Sequence, residues 1–279
     1  MRYAPPMTVL GAGRGSATAL IHGALSSPAF WHQPLPRRVL SGRTLSYPLP
    51  GHFPWVLDDG TLTRILNPRA LADTYALALR RDFYGQPVHL IGHSTGGYVA
   101  LLIATYHPKL VSRLTLAGSF ADARVAGGSP LLKSLLHSNI YGALAVEALL
   151  ATWLSTRALY NAGLSSVVVD AKAPWQNPLF ARHSDLVRDD LLQSNFKQLI
   201  SVGRWFSDQR MRMDLARVRQ PTLVLAGDAD PVVPFAHQRS IARALPNARF
   251  APLSKVGHIP MAEHARAYNA HIDAFVSTR

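Results

Sequence analysis

The pentapeptide Gly92-His93-Ser94-Thr95-Gly96 carries the strongest chemical signal in the chain. It lies between an apolar run, Val88–Gly92, and a helical pattern that opens near Gly96. A serine on such a strand-to-helix turn has its hydroxyl lifted above the sheet. The flanking glycines let strand, turn and helix approach closely around strained backbone angles. The unpaired N–H groups that open the following helix favour a developing negative charge, which makes the amide of Thr95 a natural oxyanion donor. A second donor belongs in a loop after an early strand. Leu20-Ile21-His22-Gly23-Ala24 ends an apolar run in His-Gly and points to the amide of Ala24.

A serine needs a base, and a histidine base needs an acid to orient it. Val256-Gly257-His258-Ile259-Pro260 places a histidine in a loop, between a strand-like stretch at Arg249–Leu253 and the closing helix. Leu225-Ala226-Gly227-Asp228-Ala229-Asp230-Pro231 ends another strand with two acids. Asp230 is preferred, because Asp228 sits where the chain is still leaving the strand and Pro231 sets an extended geometry at the residue before it. Each residue has a plainer reading: a bystander serine in a glycine-rich turn, a turn carboxylate, a structural histidine. The order Ser94, Asp230, His258 is the order such a triad takes along the chain, and it joins three separate signals into one. His22, beside Gly23, reads as a support for its loop and is given no proton-transfer role.

Composition narrows the chemistry. Cysteine is absent from the 279 residues, which removes disulfides, thiolate metal sites and cysteine nucleophiles together. No metal and no organic cofactor is expected. The formal charge of +13 comes from scattered clusters such as Arg37-Arg38 and Arg80-Arg81. No aromatic-interleaved basic motif accompanies them, so the partner expected is a small-molecule substrate and not nucleic acid. Pro5 and Pro6 interrupt the N-terminal apolar stretch, which predicts no signal peptide and a cytoplasmic location. Ala143–Leu154 is too short to cross a bilayer, so no transmembrane segment is expected. Oligomeric state is not readable.

Short apolar runs, Ala17–Ile21, Val88–Gly92, Leu114–Ala117 and Thr222–Ala226, alternate with helical patterns over Pro68–Phe83, Gly96–Tyr106 and Pro260–Val276. This is how a parallel sheet covered by helices reads. The stretch 122–215 breaks the rhythm: it is rich in Leu, Ala and Trp and far longer than a crossover needs. It is expected to be an inserted helical cap on a core formed by 1–121 and 216–279. Leu25, His93, Trp153, Trp205 and Ile259 are the residues expected to contact substrate.

Together these motifs resemble the α/β-hydrolase superfamily, in its serine-nucleophile branch, over essentially the whole chain. The resemblance implies an α/β fold with a mostly parallel eight-stranded sheet flanked by helices, the cap following the sixth strand at Leu114–Ala117. It implies a carboxylesterase-like or lipase-like hydrolase that forms an acyl-enzyme on an apolar or aromatic ester. Members that dehalogenate alkanes or open epoxides carry an aspartate where Ser94 stands. Three alternatives remain: a carbon–carbon bond hydrolase of the same fold, a non-catalytic ligand-binding protein that has kept it, and an anion-binding protein that uses the basic charge and would associate with nucleic acid or acidic lipid in a salt-dependent way.

Overall fold

The computed structural model describes residues 3–32, 35–125, 130–138, 140–176, 178–211 and 215–277. Seven strands form one sheet: β1 (Thr8–Ala12), β2 (Gly15–Ile21), β3 (Gly42–Tyr47), β4 (Val88–His93), β5 (Val111–Ala117), β6 (Thr222–Gly227) and β7 (Ala248–Leu253). Their spatial order is β1-β3-β2-β4-β5-β6-β7. Only β1 runs antiparallel to its neighbour, β3.

The sheet is mostly parallel as expected, but among the described residues it has seven strands and not eight, and Leu114–Ala117 lies in the fifth strand and not the sixth. Pro5 and Pro6, just before β1, lack the N–H groups a further ladder would need. Every residue of β4 and β6 is buried, whereas exposed residues recur along β1 and β7. Central parallel strands are covered on both faces and read as continuous apolar runs, which is why β2, β4, β5 and β6 were legible.

Helices α1 (Arg37–Leu40), α2 (Asp59–Ile65), α3 (Pro68–Asp82) and α4 (Thr95–Tyr106) belong to the first half. α3 starts at Pro68, where the helical pattern begins, with the Asn67 side chain accepting from the amides of Arg69 and Ala70. α4 is apolar all round and buried over its first ten residues, as a helix enclosed by a sheet and its neighbours must be.

Between β5 and β6 come α5 (Pro130–His137), α6 (Ile140–Ser155), α7 (Arg157–Ser165), α8 (Pro178–Leu192) and α9 (Phe196–Ser207). The two ends of this helical segment meet: the Ala123 amide donates to Gln209 and the Met211 amide to Ala121, around a bridge between Asp122 and Arg210. Leu154, Tyr160, Val187 and Leu191 of the segment share one apolar cluster with Leu20 and Ile91 of the sheet. The chain closes with α10 (Phe235–Ala244), α11 (Pro260–Glu263) and α12 (Ala265–Ser277). The expected closing helix is thus two, parted at His264, which leaves helical backbone angles. Among the described residues no helix is long and apolar enough to cross a membrane.

Chain direction in space changes at β2. β3 pairs on one side of it and β4 on the other. Ligand crevices of open α/β sheets form at such a switch point, outside the carboxyl ends of the strands.

Candidate active site

Two loops leave the carboxyl ends of β2 and β4 side by side, since Ile21 pairs with Gly92. The β4 loop is the turn at Ser94. Its backbone sits at φ 51° and ψ −119°, a conformation that costs a side-chain-bearing residue about 1–3 kcal/mol. The turn is held by the Ser94 amide donating to the Ala117 carbonyl at 2.9 Å and by the Gly97 amide donating to the Ser94 carbonyl at 3.0 Å.

The β2 loop, His22 to Leu25, presses against this turn. A Cβ on Gly23 would lie 2.9 Å from His93 Nδ1 and 3.1 Å from Ser94 Cβ, so only glycine allows the approach. The N–H groups of Ala24 and Thr95 have no protein acceptor among the described residues.

Two buried histidines fix the β2 loop. His22 donates from Nδ1 to the Gly23 carbonyl at 2.7 Å and accepts the Leu49 amide at Nε2, 3.1 Å. This is the supporting role its place at a strand end suggested. His52 donates from Nδ1 to the Pro50 carbonyl at 3.0 Å and accepts the Leu25 amide at Nε2, 3.2 Å. Burial holds His22 well below the ordinary histidine range and lowers His52 to about 4, so both are neutral and keep the acceptor nitrogen they use. No motif in the sequence singles out His52, since the Leu25 amide it accepts lies 27 residues away.

From the ends of β6 and β7 come Asp230 and His258. His258 Nδ1 lies 2.9 Å from Asp230 Oδ2 and 3.1 Å from Oδ1. A carboxylate only accepts, so the proton sits on Nδ1 and Nε2 is left as an acceptor. The Asp230 side chain is fully buried. Oδ1 also accepts the amides of Val232 and Val233, at 2.8 and 2.9 Å, and Oδ2 accepts Gln238 Nε2 at 3.0 Å. Burial works to raise its pKa, but the hydrogen bond and charge of His258, with the two amides, outweigh burial and hold it below the usual carboxylate value. Asp228 is elsewhere, its Oδ1 accepting the Lys255 amide at 2.7 Å.

His93 ties the turn to the histidine loop. Its Nε2 donates to the His258 carbonyl at 2.8 Å, and its ring stacks on Phe30 with centroids 5.1 Å apart. Burial, helped by the neighbouring His258, lowers its pKa to about 3, so it is a neutral strut.

Above these loops lies a cavity of about 790 Å³. Ala24, Leu25, His93, Ser94, Thr95, Trp153, His258 and Ile259, all singled out from the sequence, line it. Asp230 sits behind His258, outside the lining. Trp205 was expected to contact substrate and does not line the cavity: it packs on Phe206 and the sheet-side core. Successive residues of a helix point about 100° apart, so on α9 it is Phe206 that faces inward. Phe120, Leu150, Tyr160 and Phe180 complete the apolar walls, and none of the described lining residues is Arg, Lys, Asp or Glu. Among the described residues no group of three or more His, Asp or Glu is arranged to hold a metal ion.

The sequence pattern of the alpha/beta hydrolase family matches residues 19–271. The chain belongs to this family. Among its relatives within the wider fold, the pimeloyl-acyl-carrier protein methyl ester esterase of Aromatoleum aromaticum is 29% identical over 255 residues, 88% of this chain and 92% of that protein. A 2-hydroxy-6-oxononadienedioate/2-hydroxy-6-oxononatrienedioate hydrolase of Cupriavidus pinatubonensis is 28% identical over 191 residues, 68% of this chain and 62% of that protein. The enol-lactonase of Burkholderia xenovorans superimposes with a TM-score of 0.72 at 20% identity, covering 98% of this chain and 96% of that one, which speaks to the fold alone. These relatives are hydrolases by name, and this chain spans about three fifths of the length of the Cupriavidus protein.

Proposed function

We propose that this hydrolase cleaves carboxylic esters of apolar acyl groups through an acyl-enzyme on Ser94. The observation that carries the reading is the Asp230–His258 pair: it leaves Nε2 of His258 as an acceptor in the same cavity as the strained Ser94.

Ser94 Oγ attacks the ester carbonyl as His258 Nε2 takes its proton, and the amides of Ala24 and Thr95 receive the oxyanion. Collapse expels the alcohol, which takes the proton from His258. Water, deprotonated by the same nitrogen, then releases the acid. Asp230 keeps the imidazole in the required tautomer. The helical segment 122–215 acts as the cap, its apolar inner face receiving the acyl chain, and the pairing of 121–123 with 209–211 supports a segment that leaves the core near 122 and returns after 211.

Carbon–carbon cleavage uses the same fold and triad. The relative of that type acts, by its name, on a dioate, which carries two carboxylates. A buried carboxylate without a cationic partner is costly, and the described lining offers no Arg or Lys. This favours an uncharged acyl group.

The test is hydrolysis of p-nitrophenyl esters from acetate to laurate by wild type and Ser94→Ala, both verified as folded. Wild type is expected to turn over the medium chains and Ser94→Ala to lose about 10⁴-fold in turnover. A Ser94→Ala protein that kept most of its activity would sink the assignment. A wild type inert toward every ester but active on a diketone-like acid would transfer the reading to carbon–carbon cleavage, and inertness toward both would favour the ligand-binding alternative.

A further inference from the structure

The loop that carries His258 is held from a direction the triad does not explain. The Glu263 carboxylate, at the end of α11, accepts the Gly257 amide at 3.0 and 2.9 Å and the Ile259 amide at 3.2 Å. The two amides that flank His258 in sequence therefore end on one side chain. The same carboxylate accepts a third amide, that of Val169, at 2.8 Å. Val169 belongs to the helical segment, in the stretch that follows α7, 94 residues away.

That stretch makes a second tie. The His258 amide itself donates to the Val167 carbonyl at 2.8 Å. The contact is close along its length: a Cβ on Gly257 would lie 2.7 Å from the Val167 oxygen and 2.9 Å from Val168 Cα, so a side chain there would push the two apart. Val167 also lines the cavity, and Val167 and Val168 pack against the apolar cluster around Leu253 and Ile259.

We infer that Glu263 is a positioning residue that makes the placement of His258 depend on the docking of segment 167–169. The inference rests on the reading of His258 as the base. One carboxylate holds both flanks of the histidine and the docked 167–169 stretch of the helical segment. When that stretch withdraws, Glu263 loses an amide partner and the His258 amide loses its acceptor, so the imidazole is held less firmly in the cavity it shares with Ser94. A substrate that fills the cavity and packs Val167 in place thereby also sets the base.

The experiment uses the full chain with p-nitrophenyl butyrate and reads kcat and KM separately, with circular dichroism and the thermal midpoint as checks on folding. Glu263→Ala is expected to lower kcat by about tenfold to a hundredfold with KM changed by no more than about threefold, since a misplaced catalytic group costs turnover rather than binding. Glu263→Gln, which keeps one acceptor oxygen, is expected to fall between. Val169→Pro deletes the N–H by which segment 167–169 reaches Glu263 and is expected to lower kcat in the wild-type background but not further in Glu263→Ala, since residues acting through one contact are not additive. A folded Glu263→Ala with wild-type kcat would overturn the inference, and so would Val169→Pro acting equally in both backgrounds or in neither. Ser94→Ala separates the two levels: if it stays active, hydrolysis does not run at this site and the base assignment fails first.

Discussion

At the scale of single residues, the arrangement around His258 divides labour between charge and geometry. Asp230 is saturated: two amides, Gln238 and His258 occupy its oxygens, so its direction is over-determined and its negative charge has one mobile proton to face. Asp230→Asn keeps the size and most of these contacts but presents an N–H group to Nδ1, which favours the tautomer protonated on Nε2. If the proposed triad holds, kcat is expected to fall by about 10⁴-fold with KM little changed, the loss known for this change in a Ser-His-Asp enzyme. Ester hydrolysis by the folded variant measures this, and a loss smaller than about tenfold would mean that Asp230 is not the orienting acid.

At the scale of elements, the helical segment does more than cover the site. α6 contributes Val146, Leu149, Leu150 and Trp153 to the cavity wall, and the Trp153 indole donates to the Tyr160 carbonyl at 3.2 Å, joining α6 to α7. Trp153 is the largest side chain in that wall. Trp153→Ala should lengthen the space available to an acyl chain and raise the ratio of kcat/KM for long over short esters by about tenfold, the range that a few methylene contacts span. An unchanged chain-length profile would place the acyl group elsewhere in the cavity. Elements also show why parts of the site escaped the sequence. The stretch 122–215 read as helical overall, but the choice between Trp205 and Phe206 as the inward residue depends on how α9 is rotated against the sheet. Glu263 was hidden for a similar reason: nothing in Pro260–Val276 says that a carboxylate in its first turn reaches back to Gly257 and across to Val169.

At the scale of the whole molecule, burial has left a set of neutral histidines. His22, His52, His89 and His93 are all buried, and burial is the first cause holding each below its ordinary value of 6.5, His52 at about 4 and His89 and His93 at about 3. A base whose pKa is lower in the folded chain binds its proton first in the unfolded one. Folding is therefore unaffected above about pH 6.5 and weakens as pH falls from there towards the folded values, by about 1.4 kcal/mol per pH unit for each such group. Asp230, whose pKa is depressed, loses its contribution only at lower pH still. The thermal midpoint should drop steeply between about pH 6.5 and pH 4.5, and a flat profile there would mean that these histidines take up protons in the folded state. The formal charge of +13 does not enter the cavity, whose described lining holds no Arg, Lys, Asp or Glu.

What the sequence determined by itself is the chemistry of turns and strand ends. Gly92 to Gly96, His22-Gly23, Asp230-Pro231 and Gly257-His258-Ile259-Pro260 are local signals, because a strained or tight backbone restricts which residues can stand beside it, and the buried central strands announce themselves as apolar runs. The edge of the sheet was less legible, since the strand number depends on which segments find a partner, and β1 pairs backwards onto β3. Only the tertiary structure decided that β2 and β4 lie adjacent at the switch point, that His52 and Glu263 hold loops 27 and 94 residues away, and that Phe206 and not Trp205 faces the cavity. These are relations between distant segments, fixed by packing and by the need to satisfy buried amides, and no short stretch of sequence carries them.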